Sequence, residues 1–508
     1  MLSFPVRCRD ASRRRFLRSA AGSALFLASG LSGCVRSPFR ASIGHELLEG
    51  DALDQAARVR RGDTTPTELV LAAIDRIEAL NPPLNAVVST FYERALREAR
   101  GPLPNGPFRG VPYLLKDLID LEGTPKTMGS RSFQGFVSKE TAPHARAALE
   151  GGLIVLGKTN TPEFGLVATT EPAALGICRN PWNRDRSAGG SSGGAAAAVA
   201  SGMLPIAQAS DGGGSIRVPA SCCGVLGLKP SRGRNRAGRQ TRAVDISVKH
   251  CVSRSVRDTA AYSVLVQRRD ETAPYAPLPF IEGPSGERLR IGFFTVNPYG
   301  DDAEPEVKRS IEATAALCAD LGHEVEPVDL DFEGEAFLEH FMNLWSSVPA
   351  GIVQRVQARG LAPESVLEPV TLGLAERFSR APDDAVPRAA AFFEAYARRI
   401  DLYFRQHDML LSPVLRRPPI PIGEQAGTKP FDQVYGPMID YVSYTPIWNA
   451  TGHPAMSVPM GWSDEGLPIG SQFIAGYGHE RRLIEMAYAL EAARPWTFPR
   501  SGHLPDLG

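Results

Sequence analysis

Ser187-Ala188-Gly189-Gly190-Ser191-Ser192-Gly193-Gly194 runs into Ala195-Ala196-Ala197-Ala198-Val199-Ala200-Ser201-Gly202, and Asp211-Gly212-Gly213-Gly214-Ser215-Ile216-Arg217 follows soon after. The reading of this 508-residue chain turns on these two stretches. Taken alone, either resembles a flexible Gly/Ser linker. Linkers, however, are not flanked by helical and apolar segments on both sides. Here the first run leads into an alanine-rich helix expected to end near Gly202, and Leu204-Pro205-Ile206-Ala207 then reads as a buried strand. Three glycines before a serine let the backbone approach a substrate and aim successive N–H groups at one point. An oxyanion needs that arrangement of donors.

Outward from these stretches, strand and helix patterns alternate. Leu153–Leu156, Leu289–Phe294 and Met409–Leu411 read as short buried strands. The capping box Thr65-Pro66-Thr67-Glu68 opens a helix with Leu69, Val70, Ala73, Ile74, Ile77 and Leu80 at helical spacing. Asn81-Pro82-Pro83 is expected to end it. A second helix is expected over 304–321, with Val307, Ile311, Ala315 and Cys318 along one face. Such alternation without repeats predicts a layered α/β fold. No Gly/Ser or Pro-rich linker divides the body, taken as 45–508.

Two shorter motif matches fail on their surroundings. Gly152-Leu153-Ile154-Val155-Leu156-Gly157-Lys158-Thr159 fits the P-loop pattern, but its four middle residues are apolar and call for burial in a strand. The Gly-x-Ser-x-Gly of a nucleophile elbow occurs within 189–194, yet an elbow needs a strand directly before the serine. The polar Asn183–Ala188 stands there instead, and nothing singles out His453 as the partner base.

Composition removes further classes. Hydrophobic residues make up 43% and charged residues 22%, the balance of an ordinary globular chain. Lys+Arg and Asp+Glu are 56 each, but eight arginines against Asp10 alone lie in residues 1–40, which leaves a mildly acidic body. Nucleic acid is a poor partner for such a body. No C-x-x-C pair or H-E-x-x-H helix is present, so no metal is expected. The arginines Arg232, Arg234, Arg236, Arg239 and Arg242 read as a solvated loop.

The two glycine-rich stretches do not stand alone. Together with GVPYLLKD (110–117), GKTNTPEFG (157–165), DGGGSIRVPASCCGVLGLKPS (211–231), SRSVRDTAA (253–261) and NATGHPAMSVP (449–459), the chain resembles the amidase signature family, with the motifs in that family's order. DGGGSIR, ATTEPAALG and GLKPSRGR are similar to the subgroup that contains 6-aminohexanoate-cyclic-dimer hydrolase. The resemblance implies an α/β/α fold with a large mixed central sheet, and hydrolysis of a small-molecule amide without metal or organic cofactor. It also implies a catalytic triad of Lys116, Ser191 and Ser215, with a cis bond between Gly190 and Ser191. Gly212, Gly213 and Gly214, with the Ser215 N–H, become candidate oxyanion donors, and Ser192 a candidate substrate-binding residue. Two positions depart from the family pattern: Gly212 stands where threonine is common, and Ala188 where proline is common.

A serine hydroxyl becomes nucleophilic only when a base takes its proton. With no histidine in these motifs, the base is Lys116, and only its neutral amine can act. Burial among Val111, Pro112, Leu114 and Leu115 would lower its pKa as that role requires. Taken alone, Lys116 would read as a surface lysine or as the partner of Asp117. Two rival functions follow from the same resemblance: an amidotransferase subunit serving tRNA-dependent glutamine formation, and a non-catalytic binding protein on the same fold. The acidic body opposes the first, and the filled triad positions oppose the second. Specificity is expected to reside mainly within 330–445, which matches no motif.

The N-terminus reads as a separate signal. Ser12-Arg13-Arg14-Arg15-Phe16-Leu17-Arg18 has the twin-arginine form, an apolar run follows from Ala20 to Leu31, and Leu31-Ser32-Gly33-Cys34 resembles a bacterial lipobox. Residues 1–33 are therefore expected to direct export. Cys34 is expected to carry lipid, placing the protein in the periplasm or on a membrane through a lipid anchor only.

Overall fold

In the computed structural model, the described residues are 47–237 and 245–499. The export segment with Cys34, and the loop arginines Arg239 and Arg242, lie outside them. The strands form two sheets. β1 (Val87–Thr90), β2 (Pro112–Lys116) and β3 (Ile154–Thr159) make a small sheet in the order β1-β3-β2, with β2 and β3 parallel. The larger sheet is built from β4 (Ile206–Asp211), β5 (Leu226–Lys229), β6 (Val248–Ser253), β7 (Arg290–Phe293), β8 (Glu324–Pro327), β9 (Met409–Pro413), β10 (Ala455–Trp462) and β11 (Pro468–Ala475). Its order is β4-β6-β5-β10-β11-β9-β7-β8. The pairs from β4 to β9 are antiparallel, while β9-β7 and β7-β8 are parallel, so the sheet is mixed as expected.

Side chains alternate across this sheet with period two, and that alternation builds the layers. Met409, Leu411, Met456, Val458, Phe473 and Ala475 enter one core, which is closed by the helices Pro305–Asp320 and Glu480–Ala493. Their neighbours Leu410, Ala455 and Ile474 enter another, closed by helices that include Arg217–Cys223 and Gly334–Ala358. With both faces apolar, the sheet lies between two helical layers.

Most predicted elements occur near their expected positions. The capping box is formed, with the Glu68 N–H donating to Thr65 Oγ1. The helix it opens does not stop at Asn81, however, and continues through Pro82 and Pro83 to Leu84. The two prolines remove donors from the last turn only. Asn81 compensates through its side chain, which exchanges two hydrogen bonds with the Val87 backbone at 2.8 and 2.9 Å, and Leu84 is buried. The P-loop look-alike is strand β3, and Lys158 is a buried lysine donating to the Ile119 carbonyl at 2.5 Å.

The solvated-loop reading of the arginines fails at two positions. Arg234 is buried and pairs with Glu480 at 2.8 Å, while Arg232 donates to the carbonyls of Asn449 and Ala450. Both tie their loop to distant segments. Arg236 is half-buried and pairs with the exposed Glu150.

Candidate active site

Three segments meet where β2, β4 and the alanine-rich helix Gly193–Ala200 come together. Lys116 is the last residue of β2, a strand buried throughout. Its Nζ donates to Ser191 Oγ at 2.7 Å, Ser192 Oγ at 2.9 Å and Ser210 Oγ at 3.2 Å. Its backbone N–H donates to Gln208 Oε1, so two residues spaced by two on β4, Gln208 and Ser210, hold the lysine from one side. Burial pushes the Lys116 pKa down to about 7, against an opposing pull from Asp211. The partner that a surface reading would have given it is occupied elsewhere: Asp117 accepts from the Thr127 N–H and hydroxyl.

Ser191 follows a cis peptide bond from Gly190, and Ser192 precedes the alanine-rich helix. The two serines point to different sides. Ser191 lines a cavity, whereas Ser192 is fully buried and lines neither cavity at the site. The Ser192 hydroxyl accepts from Lys116 and donates to the Ser210 carbonyl at 3.2 Å. Ser192 therefore positions the lysine from within the protein, which corrects its assignment to substrate binding.

Ser215 stands in the turn between β4 and the helix Arg217–Cys223. Its carbonyl accepts from the Ser192 N–H at 3.3 Å, which joins the two glycine-rich stretches through the backbone. Its hydroxyl has no hydrogen-bond partner among the described residues and faces two cavities at once. Ser191 lines one of these two, so the structure brings both serines to a shared space without a direct bond between their hydroxyls.

The turn is anchored from below by Asp211. Burial alone would raise its pKa, but the Arg217 guanidinium, bonded at 2.9 and 3.0 Å, holds it well below the usual carboxylate range. Arg217 also donates to Gln472 and to Asn449 at 2.6 Å each. Asn449, from the 449–459 motif, returns a hydrogen bond to the Asp211 carbonyl at 2.9 Å. The ionised Asp211 accepts from the N–H groups of Gly214 at 2.7 Å and Ile216 at 3.1 Å. Gly214 is thereby withdrawn from the set of oxyanion donors, a second correction. It still requires glycine, because φ is +132° and a Cβ would lie 2.3 Å from Thr445 Oγ1. The N–H groups of Gly212, Gly213 and Ser215 have no acceptor among the described residues.

The two cavities differ in character. One, of about 60 Å³, is walled by apolar side chains that include Phe337, Phe341, Met342 and Met438. The other, of about 400 Å³, carries Ser191, Ser210, Asp245, Lys249 and Arg355 on its wall. Much of both walls comes from the helix Gly334–Ala358, within the region expected to hold specificity. Its Trp345 lies between the cavities, and a Cβ on Gly212 would come within 3.3 Å of the Trp345 ring. A side chain at residue 212 would therefore have to push the indole back slightly.

Ser210, Gln208 and Trp345 were not read from the sequence. Ser210 and Gln208 share the alternation of β4 with Ala207 and Ala209, a pattern that marked polar residues inside a buried strand. Nothing in the sequence marked Trp345. His453 is remote from this chemistry: it is fully buried, with Nδ1 against Thr451 Oγ1 and Nε2 against Asp401. Among the described residues, no three His, Cys, Asp or Glu side chains converge as a metal-binding group.

Comparison with known proteins places the chain in a family. The profile of the family described as Amidase matches residues 68–484. The chain is 37% identical over 475 residues to 6-aminohexanoate-cyclic-dimer hydrolase of Paenarthrobacter ureafaciens, covering 89% of this chain and 96% of that protein. A solved structure of 6-aminohexanoate cyclic dimer hydrolase complexed with substrate superposes with a TM-score of 0.83 at 34% identity, covering 89% of this chain and 99% of the other. A bacterial aryl acylamidase of the amidase signature family superposes with a TM-score of 0.80 at 27% identity, over 88% and 96% of the two chains.

Proposed function

The chain belongs to the amidase family of carbon–nitrogen hydrolases, and we propose that it cleaves its amide through an acyl-enzyme on Ser215, with Ser191 as proton relay and Lys116 as base. The observation that carries this reading is the fully buried Lys116 amine, 2.7 Å from Ser191 Oγ with its pKa at about 7. A neutral amine has a lone pair to accept the Ser191 proton, while Ser191 in turn takes the proton of Ser215 as the latter attacks the carbonyl carbon. The carbonyl oxygen becomes an oxyanion held by the N–H groups of Gly212, Gly213 and Ser215. As the C–N bond breaks, Ser191 returns a proton to the leaving nitrogen and is itself reprotonated by Lys116. Water then attacks the acyl-enzyme by the same relay and releases the acid.

The test is Ser215→Ala together with a fluorophosphonate probe. The wild type is expected to be labelled at Ser215 and to hydrolyse amides. The variant should lose labelling and turnover at an unchanged melting temperature, because a hydroxyl facing a cavity contributes little packing. Near-normal hydrolysis by the variant would overturn the assignment of the nucleophile.

We also propose that the protein is exported by the twin-arginine signal and anchored through lipid on Cys34. The support is the order of arginine pair, apolar run and lipobox within residues 12–34. One acyl chain anchors only marginally, so stable attachment would need the several chains of a bacterial lipoprotein. Fractionation of cells making the wild type and Cys34→Ala decides it. A membrane-bound wild type beside a soluble periplasmic variant is the expected result. A soluble periplasmic wild type removes the anchor, and a cytoplasmic one removes export.

A further inference from the structure

The two cavities at Ser215 can be assigned to the two halves of an amide, on the strength of the reading just given. Ser191, which supplies the proton to the leaving nitrogen, lines only the larger of the two. The amine half must therefore lie in that cavity, and the acyl half in the smaller, apolar one beside Gly213 and Gly214. One helix writes both specificities. Along Gly334–Ala358, Phe337, Phe341, Trp345, Val348, Ile352 and Arg355 recur every three or four residues and so share a face. The first two border the acyl cavity, Trp345 borders both, and the last three border the amine cavity. The stripe thus passes from aromatic at one end to cationic at the other.

The cationic end has a second contributor. Lys249, in β6, lines the same cavity as Arg355, and neither pairs with a carboxylate among the described residues. Asp245 also lines this cavity, but it is engaged in its own turn, accepting from the Ser247 N–H at 2.9 Å. Among the described residues, two cations without carboxylate partners against one carboxylate give the amine cavity an excess of positive charge, whereas the acyl cavity has none on its wall. We propose that the preferred substrate joins an apolar acyl group to an amine that itself carries a carboxylate, an N-acyl amino acid in the broad sense. Lys249 and Arg355 would hold that carboxylate, and Phe337, Phe341 and Trp345 would enclose the acyl group. Hydrolysis would then release an apolar acid and a free amino acid.

The experiment compares N-hexanoyl derivatives of ω-amino acids of two to six carbons with N-hexanoyl alkylamines of the same length. At low ionic strength kcat/KM for at least one acid should exceed that of its matched neutral amide by about tenfold, and the ratio should shrink as salt screens the cations. In Lys249→Gln/Arg355→Gln the ratio should fall towards one, while Arg355→Lys should keep most of it. A wild-type ratio at or below one along the whole series overturns the inference and leaves the amidase reading intact, as does a ratio that survives in the double variant. Failure to cleave any member of either series, with no fluorophosphonate labelling at Ser215, overturns both.

Discussion

Replacing Lys116 with methionine should make the protein more stable at neutral pH while destroying its activity, and the size of the gain should depend on pH in a defined way. Methionine keeps an unbranched apolar stem in a site with no solvent exposure. The native amine titrates at about 7 and the unfolded one at its ordinary 10.5. Between these values the unfolded chain holds a proton that the native protein has released. Wild-type stability therefore rises with pH across the window, and the cost of burying the amine is largest below it. Each pH unit inside that window is worth about 1.36 kcal/mol, so the cost is about 4 kcal/mol at pH 7 and about 2 kcal/mol at pH 9. The lost hydrogen bonds to Ser191, Ser192 and Ser210 offset the gain by about 1 kcal/mol each, but they affect the variant equally at every pH. Asp211 stays ionised throughout through Arg217 and cancels from the comparison. Urea unfolding of wild type and variant at pH 7, 8 and 9 should show the stability difference moving by about 2 kcal/mol in favour of the wild type as pH rises. A difference that does not move with pH would mean that the native lysine keeps its proton at pH 7. It would then be unable to serve as a base near neutrality.

The same titration predicts that kcat/KM for an uncharged amide falls tenfold per pH unit below about 7 and levels above it, measured from initial rates across pH 5–9. Arg217→Met leaves Asp211 buried without its partner and should destabilise the fold by about 3–5 kcal/mol, read by urea unfolding at pH 7. Gly212→Thr pushes a side chain against the Trp345 ring and should lower kcat/KM by about tenfold, measured from initial rates on an uncharged amide.

What could be read from the sequence was the chemistry that lies in contiguous residues. A glycine run before a serine shows its backbone freedom locally, but that run and Lys116 took their meaning only from the other motifs standing in the same order. The layered fold was legible because strand and helix segments alternate without repeats, and the side-chain alternation seen along β9, β10 and β11 then sorts residues to the two faces. The errors fell where a partner is distant, as for Arg234, or where a neighbouring side chain claims a backbone group first. Arg234 looked solvated because Glu480, its partner, lies 246 residues away. The helix through Pro82 and Pro83 persisted because Asn81 and a buried Leu84 compensate beyond the point where propensity alone stops it. Ser192 and Gly214 were assigned by adjacency to Ser191 and Ser215, and each was claimed by a different partner, Lys116 and Asp211.

Gly212 joins these two kinds of information. In the sequence it is a bare departure from the family pattern, a glycine where threonine is common. The structure sets Trp345 against it, 133 residues further on in a helix that no motif marks, with its ring 3.3 Å from where a Cβ on residue 212 would stand. The exchange leaves the Gly212 N–H in place, so the chemistry of the turn is retained. What changes is the wall above it: an aromatic plate now divides the space over Ser215 into an apolar side and a cationic side. If the two cavities take the two halves of the amide as proposed, the helix Gly334–Ala358 sets the selectivity of a turn whose own residues supply only the chemistry.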